Sequence, residues 1–314
     1  MVLLAGCPYI PGTWADYDTN VDTDVSGDAD TDVDTDTDTD TDTDTDTDTD
    51  TDTDTDTDTE PDEDFHIVTS AVYGETVGGY WDSVSYGNIY TGWLDAPVPD
   101  PNVTAMFVST KLLGCQNQAE TQIALPKFAT YGRTATLTGP KGNVALPLDS
   151  GLDLYFYDAL DSTDVTLDRP FDLKSFAADG GNDAVNDMFA FAPFLNYSGP
   201  ALEGADLVSG VPKDLAITWS ASSAKADFEY VLLGATLFDL NGDPVDDVQC
   251  FAKVADGKLS IPTSRWSASE LSNASYWTVT VGGLAITDAP ITGGRGFSRA
   301  VTFSLQQGAL AYGG

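Results

Sequence analysis

Leu215-Ala216-Ile217-Thr218-Trp219 alternates apolar with small or polar residues, which places Leu215, Ile217 and Trp219 on one face of an extended strand. Downstream, Phe228–Leu233 and Ala235–Leu240 lead to Asn241-Gly242, a strong hairpin signal, and Val248–Val254 is the returning strand. Asp256-Gly257 turns the chain into Lys258–Pro262, and Trp266–Leu271 reads as one short helical turn. Tyr276–Val281 and Ala300–Leu305 are closing strands.

Upstream, the same grammar continues. Short runs rich in Val, Ile, Thr, Phe and Tyr are punctuated by Gly, Pro, Asn and Asp, and helical periodicity is nearly absent. Strands are expected at Phe65–Tyr73, Ala105–Leu113, Thr134–Leu137, Asn143–Leu146 and Leu152–Tyr157, with Gly139-Pro140-Lys141-Gly142 as a turn. The Pro-rich stretch 96–101 is a loop, because three prolines cannot support a central ladder. Leu160–Asn196 is the least regular part. Within it, Asp179–Asp187 faintly resembles one turn of the glycine- and aspartate-rich calcium repeat of secreted β-rolls, and otherwise reads as an acidic surface loop. The predicted fold class is all-β, with two β-sandwich (Ig-like) domains at 65–205 and 206–314.

The first 64 residues are different in kind. Thr35–Asp58 is an unbroken run of the dipeptide Thr-Asp. As a strand it would have no apolar face and no defined register; as a helix it would repeat like charges at i,i+4. Nothing offsets backbone ordering at ~1–2 kcal/mol per residue, so 18–64 is expected to be a disordered acidic tether. Its fully extended reach is roughly 150–170 Å. Asp28-Ala29-Asp30-Thr31-Asp32 offers alternating calcium ligands, but Val33 stands where the loop needs Gly and no Glu closes it.

Residues 1–64 carry 24 acidic groups and no Lys or Arg; the other 250 carry 27 acids against 13 bases, net −14 of a total −38. Such a balance excludes nucleic acid as a partner and gives no attraction to anionic membrane surfaces. No apolar stretch of transmembrane length occurs.

Leu4-Ala5-Gly6-Cys7 resembles a bacterial lipobox, after which the signal is cut and the Cys acylated, so 1–17 reads as a truncated signal and anchor region. Only Met1–Leu3 precede the box, whereas an export signal needs a basic and then an apolar segment. Either that leader lies upstream in a longer chain or the match is accidental. The resemblance implies a membrane attachment through lipid on Cys7, at the outer membrane or cell surface; without it the chain would be secreted. With Cys7 assigned to lipid, Cys115 and Cys250 remain, as one disulfide or as two buried thiols.

The order Leu215–Trp219, Cys250, Asp256-Gly257 and Ile261-Pro262 resembles a β-sandwich domain of predicted lipoproteins from myxobacteria and related Gram-negative groups. The resemblance implies export and a fold; it brings no activity or binding residues.

Function is therefore read from side chains alone. Trp81, Tyr86, Tyr90 and Trp93 form an aromatic patch on both faces of one predicted strand; one set would line a groove for a polysaccharide or protein partner, or both would be covered by neighbouring strands. Asp239, Asn241 and Asp243 offer oxygen ligands around the hairpin, where calcium is the one cofactor to consider, although Pro244 sits where a calcium loop wants Gly. His66 is the sole histidine, and neither a nucleophile elbow nor a phosphate-binding glycine loop occurs. Binding or adhesion is expected ahead of a structural envelope role, and both ahead of a carboxylate-based hydrolase.

Overall fold

The alternation of apolar residues that runs through the last hundred positions builds one wide sheet. The computed structural model describes residues 66–77, 84–94, 113–116, 128–130, 132–177, 181–199, 202, 208–209, 214–292 and 296–313. The sheet takes β1 (His66–Thr76), β2 (Ser85–Leu94), β4 (Phe128–Ala129), β7 (Leu148–Asp149), β8 (Leu154–Tyr157), β12 (Val208–Ser209), β14 (Tyr230–Phe238), β15 (Pro244–Lys253), β17 (Tyr276–Pro290) and β18 (Phe297–Gly313). Its main path runs β15-β14-β17-β18-β1-β2-β8-β7. A four-stranded sheet joins β5 (Thr134–Gly139), β6 (Gly142–Leu146), β9 (Pro170–Phe176) and β10 (Asn182–Ala190), and a three-stranded one joins β11 (Tyr197–Ser198), β13 (Leu215–Trp219) and β16 (Lys258–Ile261). The short β3 (Gly114–Gln116) lies against β15.

Side-chain alternation assigns the layers. On β17, Trp277, Val279 and Val281 enter one core and Ala289, with Ile291 just past the strand's end, another, while Leu284 and Ile286, out of phase with them, pack in a third. On β1, Ile67, Ala71 and Tyr73 alternate in the same way with Val68 and Val72. The first two cores thus share one face of the wide sheet, one shut by the four-stranded sheet and the other by the three-stranded one. The third core lies on the opposite face.

The all-β, two-sandwich reading holds, with one correction. The expected boundary at 205/206 separates neither the cores nor the sheets: Ala289, Ile291 and Ala300 enter the first core, and Ala192, Leu195 and Leu202 the second. β1, from the N-terminal half, pairs in parallel with β18 from the C-terminal end over Ile67–Thr76, so both sandwiches stand on one continuous sheet within one compact unit. β17, 15 residues long, contributes to both cores, Trp277, Val279 and Val281 to one and Ala289 to the other.

A second correction concerns 160–196. Phe171, Leu173 and Ser175 point inward along β9, and β10 pairs with it antiparallel, so the middle of the least regular part, including most of the stretch read as an acidic surface loop, is a strand pair. Asp183 of β10 is buried and paired with Arg133, which also donates to Ser175 Oγ at 3.1 Å, while the Tyr155 hydroxyl donates to the Arg133 carbonyl. A carboxylate expected to face solvent is a brace between strands, satisfied as a buried charge must be.

Candidate contact surface

The register of β2 decides what its aromatic residues do. Trp93 faces Ile67 on β1 and Ala129 on β4, and its side chain is fully buried, edge-on to Tyr155 with ring centroids 4.7 Å apart. Ile89, four residues earlier, enters the same core. Trp93 is therefore a core residue and not a contact residue, because the four-stranded sheet closes over that face. Trp81 lies outside the described residues.

The alternate positions, Tyr86, Asn88 and Tyr90, are half-buried on the opposite face. Tyr86 pairs with Gly74 of β1, and its ring occupies the space a Cβ would need: an alanine Cβ there would come within 2.3 Å of the Tyr86 ring. That close approach lays the ring flat across β1. Tyr90 pairs with Phe156 of β8, itself half-buried, and the two rings stack with centroids 6.2 Å apart. Burial raises the Tyr90 hydroxyl pKa, and the Asp158 carboxylate adds to the rise, so this phenol stays neutral and able to donate. The amide oxygen of Asn88 is enclosed. Phe156 lies within the expected strand Leu152–Tyr157, but its place opposite Tyr90, 66 positions earlier, leaves no local signal in the sequence.

The surface is thus an aromatic strip, Tyr86, Tyr90 and Phe156, at the margin of the third core. Flat rings beside neutral polar groups suit stacking against another apolar or amphipathic face. His66 stands apart from the strip. It is an interior residue of the sheet, 6% exposed, its ring 4.5 Å from that of Phe297. β1 is flanked by β2 and β18, so His66 does not lie on an edge strand.

Asp239, Asn241 and Asp243 do come together, as a turn. Asp239 Oδ1 accepts from the backbone N–H of Asn241 at 2.8 Å and of Asp243 at 2.9 Å, and Oδ2 accepts from Asn241 Nδ2 at 3.2 Å. These donors, the Asp243 amide first, hold the Asp239 carboxyl below its ordinary pKa. The turn's contribution is accordingly present above the usual carboxylate range and is lost as pH falls through the lowered value. Leu240 and Asn241 occupy the tip, and Gly242 follows with φ of 86°, the left-handed residue of a three-residue hairpin loop. Both Asp239 carboxylate oxygens thus accept N–H bonds, and among the described residues no group of three or more His, Cys, Asp or Glu side chains is placed to hold a metal. Addition of excess calcium is expected to leave the thermal midpoint unchanged; a clear upward shift would show a site that this geometry does not provide.

Cys115 and Cys250 are joined as a disulfide. Cys250 is fully buried on β15, and Leu113, just ahead of β3, bridges in parallel to Phe251. Cys7 lies outside the described residues, as does the Thr-Asp run.

No known family profile matches the chain, and no curated protein does. Among solved structures, the FN1–FN3 domains of chicken CNTN1 align over 74% of this chain and 66% of that one, at 10% identity and a TM-score of 0.16. A DUF4785 family protein from Legionella pneumophila aligns over 70% of this chain and 51% of that one, at 12% identity and a TM-score of 0.16. This chain thus spans under two thirds of either.

Proposed function

We propose that this chain is a non-catalytic binding or adhesion module, held at the outer membrane or cell surface by lipid on Cys7 and displayed on the acidic tether 18–64, with a polysaccharide as its ligand. The observation that carries the reading is the strip of Tyr86, Tyr90 and Phe156, large rings left partly exposed on one face of the sheet, whereas Trp93 and Tyr155 of the same strands are buried on the other. Sugar rings present alternating apolar faces and hydroxyl edges, which match flat phenyl rings flanked by the Tyr90 hydroxyl. A charge of −38 favours neutral or cationic glycans over anionic ones.

Export is supported by the Leu4-Ala5-Gly6-Cys7 resemblance and by the Cys115–Cys250 disulfide, a bond that persists in oxidising compartments. Among the described residues no helix is long and apolar enough to cross a membrane. The only histidine, buried against Phe297, is not placed to serve a nucleophile beside the strip.

A glycan array probed with the full chain and with Tyr90→Ala tests the proposal. Binding to at least one glycan is expected, falling by about tenfold or more in the variant, the loss of one stacked ring worth ~1.4 kcal/mol. A blank array, or a variant that binds as well as the parent, overturns it.

A further inference from the structure

Asn241-Gly242 is the only Asn-Gly step in the chain, and the fold presents it at the tip of the β14–β15 hairpin. We propose that Asn241 is a site of spontaneous deamidation in the folded protein, a modification that converts its neutral amide to a carboxylate without an enzyme.

The chemistry is fixed by adjacent atoms. The main-chain nitrogen of Gly242 loses its proton to hydroxide or water and attacks Cγ of Asn241. The new N–Cγ bond closes a five-membered succinimide, the Cγ–Nδ2 bond breaks, and ammonia leaves. Water then opens either carbonyl, leaving aspartate or isoaspartate. The sum consumes one water and releases one ammonia, and no oxidant or reductant takes part.

Three features favour this position. Gly242 has no Cβ to obstruct the attacking nitrogen. Asn241 is exposed, and its neighbour Leu240 is 90% exposed, so water and base reach the step freely. The bonds to the two reacting groups are long: the Gly242 N–H donates to the Asp239 carbonyl at 3.2 Å and the Asn241 side-chain amide donates to Asp239 at 3.2 Å, although the Asn241 backbone N–H is held to Asp239 Oδ1 at 2.8 Å. Every other asparagine is followed by a residue that carries a Cβ, among them Asn182 and Asn186 before Asp and Asn273 before Ala274. Asn88 precedes Ile89 and Asn143 precedes Val144, both within strands, and Asn196 precedes Tyr197. Asparagine is among the thermolabile residues for this reason.

The product matters to the hairpin. A carboxylate at 241 stands between Asp239 and Asp243, adding repulsion where the Asn241 side chain now donates to Asp239. The isoaspartyl form also inserts a methylene into the main chain of a loop whose geometry sets the pairing of β14 with β15.

The full chain, incubated at mildly alkaline pH and mapped by peptide mass together with isoaspartate-specific methylation, tests this. The Asn241 peptide is expected to gain the amide-to-acid mass about tenfold faster than any other asparagine peptide, as a barrier ~1.4 kcal/mol lower would give. Asn241→Gln, which keeps the amide and lengthens the side chain, is expected to remove the fast phase while leaving the fold intact by circular dichroism. An Asn241 peptide that converts only in urea, or another asparagine that converts first, overturns the proposal.

Discussion

Trp93→Ala is expected to destabilise the chain by about 3–5 kcal/mol, the range for removing a fully buried large aromatic side chain. The indole is closed in by Tyr155 at 4.7 Å and lies in one core with Ile67, Ile89 and Phe171, so its removal leaves a cavity that two paired sheets cannot collapse to fill. Domains are stable by ~5–15 kcal/mol, so the variant should unfold at a far lower urea concentration than the parent. Tyr90→Ala removes a ring that is only partly buried, and a smaller loss is expected. Urea titrations of the two variants separate the roles of neighbouring aromatics on one strand. Equal midpoints for Trp93→Ala and the parent would mean that the indole is not core at all.

The contrast between those two residues shows what sequence reading reaches. That Trp93 and Ile89 share a face opposite Tyr86 and Tyr90 follows from period-two alternation, and it is what the strand displays. Which face is shut off from water is set by β9 and β10, some eighty or more residues later, and no local pattern carries that. The same limit explains β1 beside β18: a parallel pair between the two ends of the folded region leaves no turn signal. β13 was fully legible because its alternation, Leu215, Ile217 and Trp219 inward, is local.

Other misses have chemical causes. The expected strand Tyr276–Val281 stops short of Gly282-Gly283, a pair of the kind that marks breaks. In the fold β17 continues through both to Pro290, because Leu305 stands where a Gly282 Cβ would go and the Phe228 ring where a Gly283 Cβ would go. Gly234 likewise sits inside a single strand where two had been expected. The acidic 179–187 stretch suggested solvent or calcium, yet Asp183 turns inward because Arg133 waits there, fifty positions earlier. Composition revealed the carboxylates and concealed their partner.

The largest single effect is expected from the Cys115–Cys250 disulfide. The two residues are 135 apart, and closing a loop of that length removes chain entropy from the denatured state worth about 5 kcal/mol, with ~2–5 kcal/mol typical of native bridges. Reduction of the full chain should lower the urea midpoint sharply and raise the slope of the transition, because the released denatured chain exposes more surface. The two cysteines should not respond alike. Cys115→Ala is expected to match reduction, since Cys115 is only half-buried. Cys250→Ala should cost about 1 kcal/mol more, because its sulfur is fully enclosed among Val248, Leu233 and Val279 in the second core and its loss leaves a gap. The double variant should then be no less stable than Cys250→Ala by itself, as two residues acting through one bond are not additive. Midpoints unchanged by reductant would show that the bridge adds nothing to holding β3 against the edge of the wide sheet. A single-variant order reversed from this one would mean that the core tolerates the lost sulfur better than the short strand does.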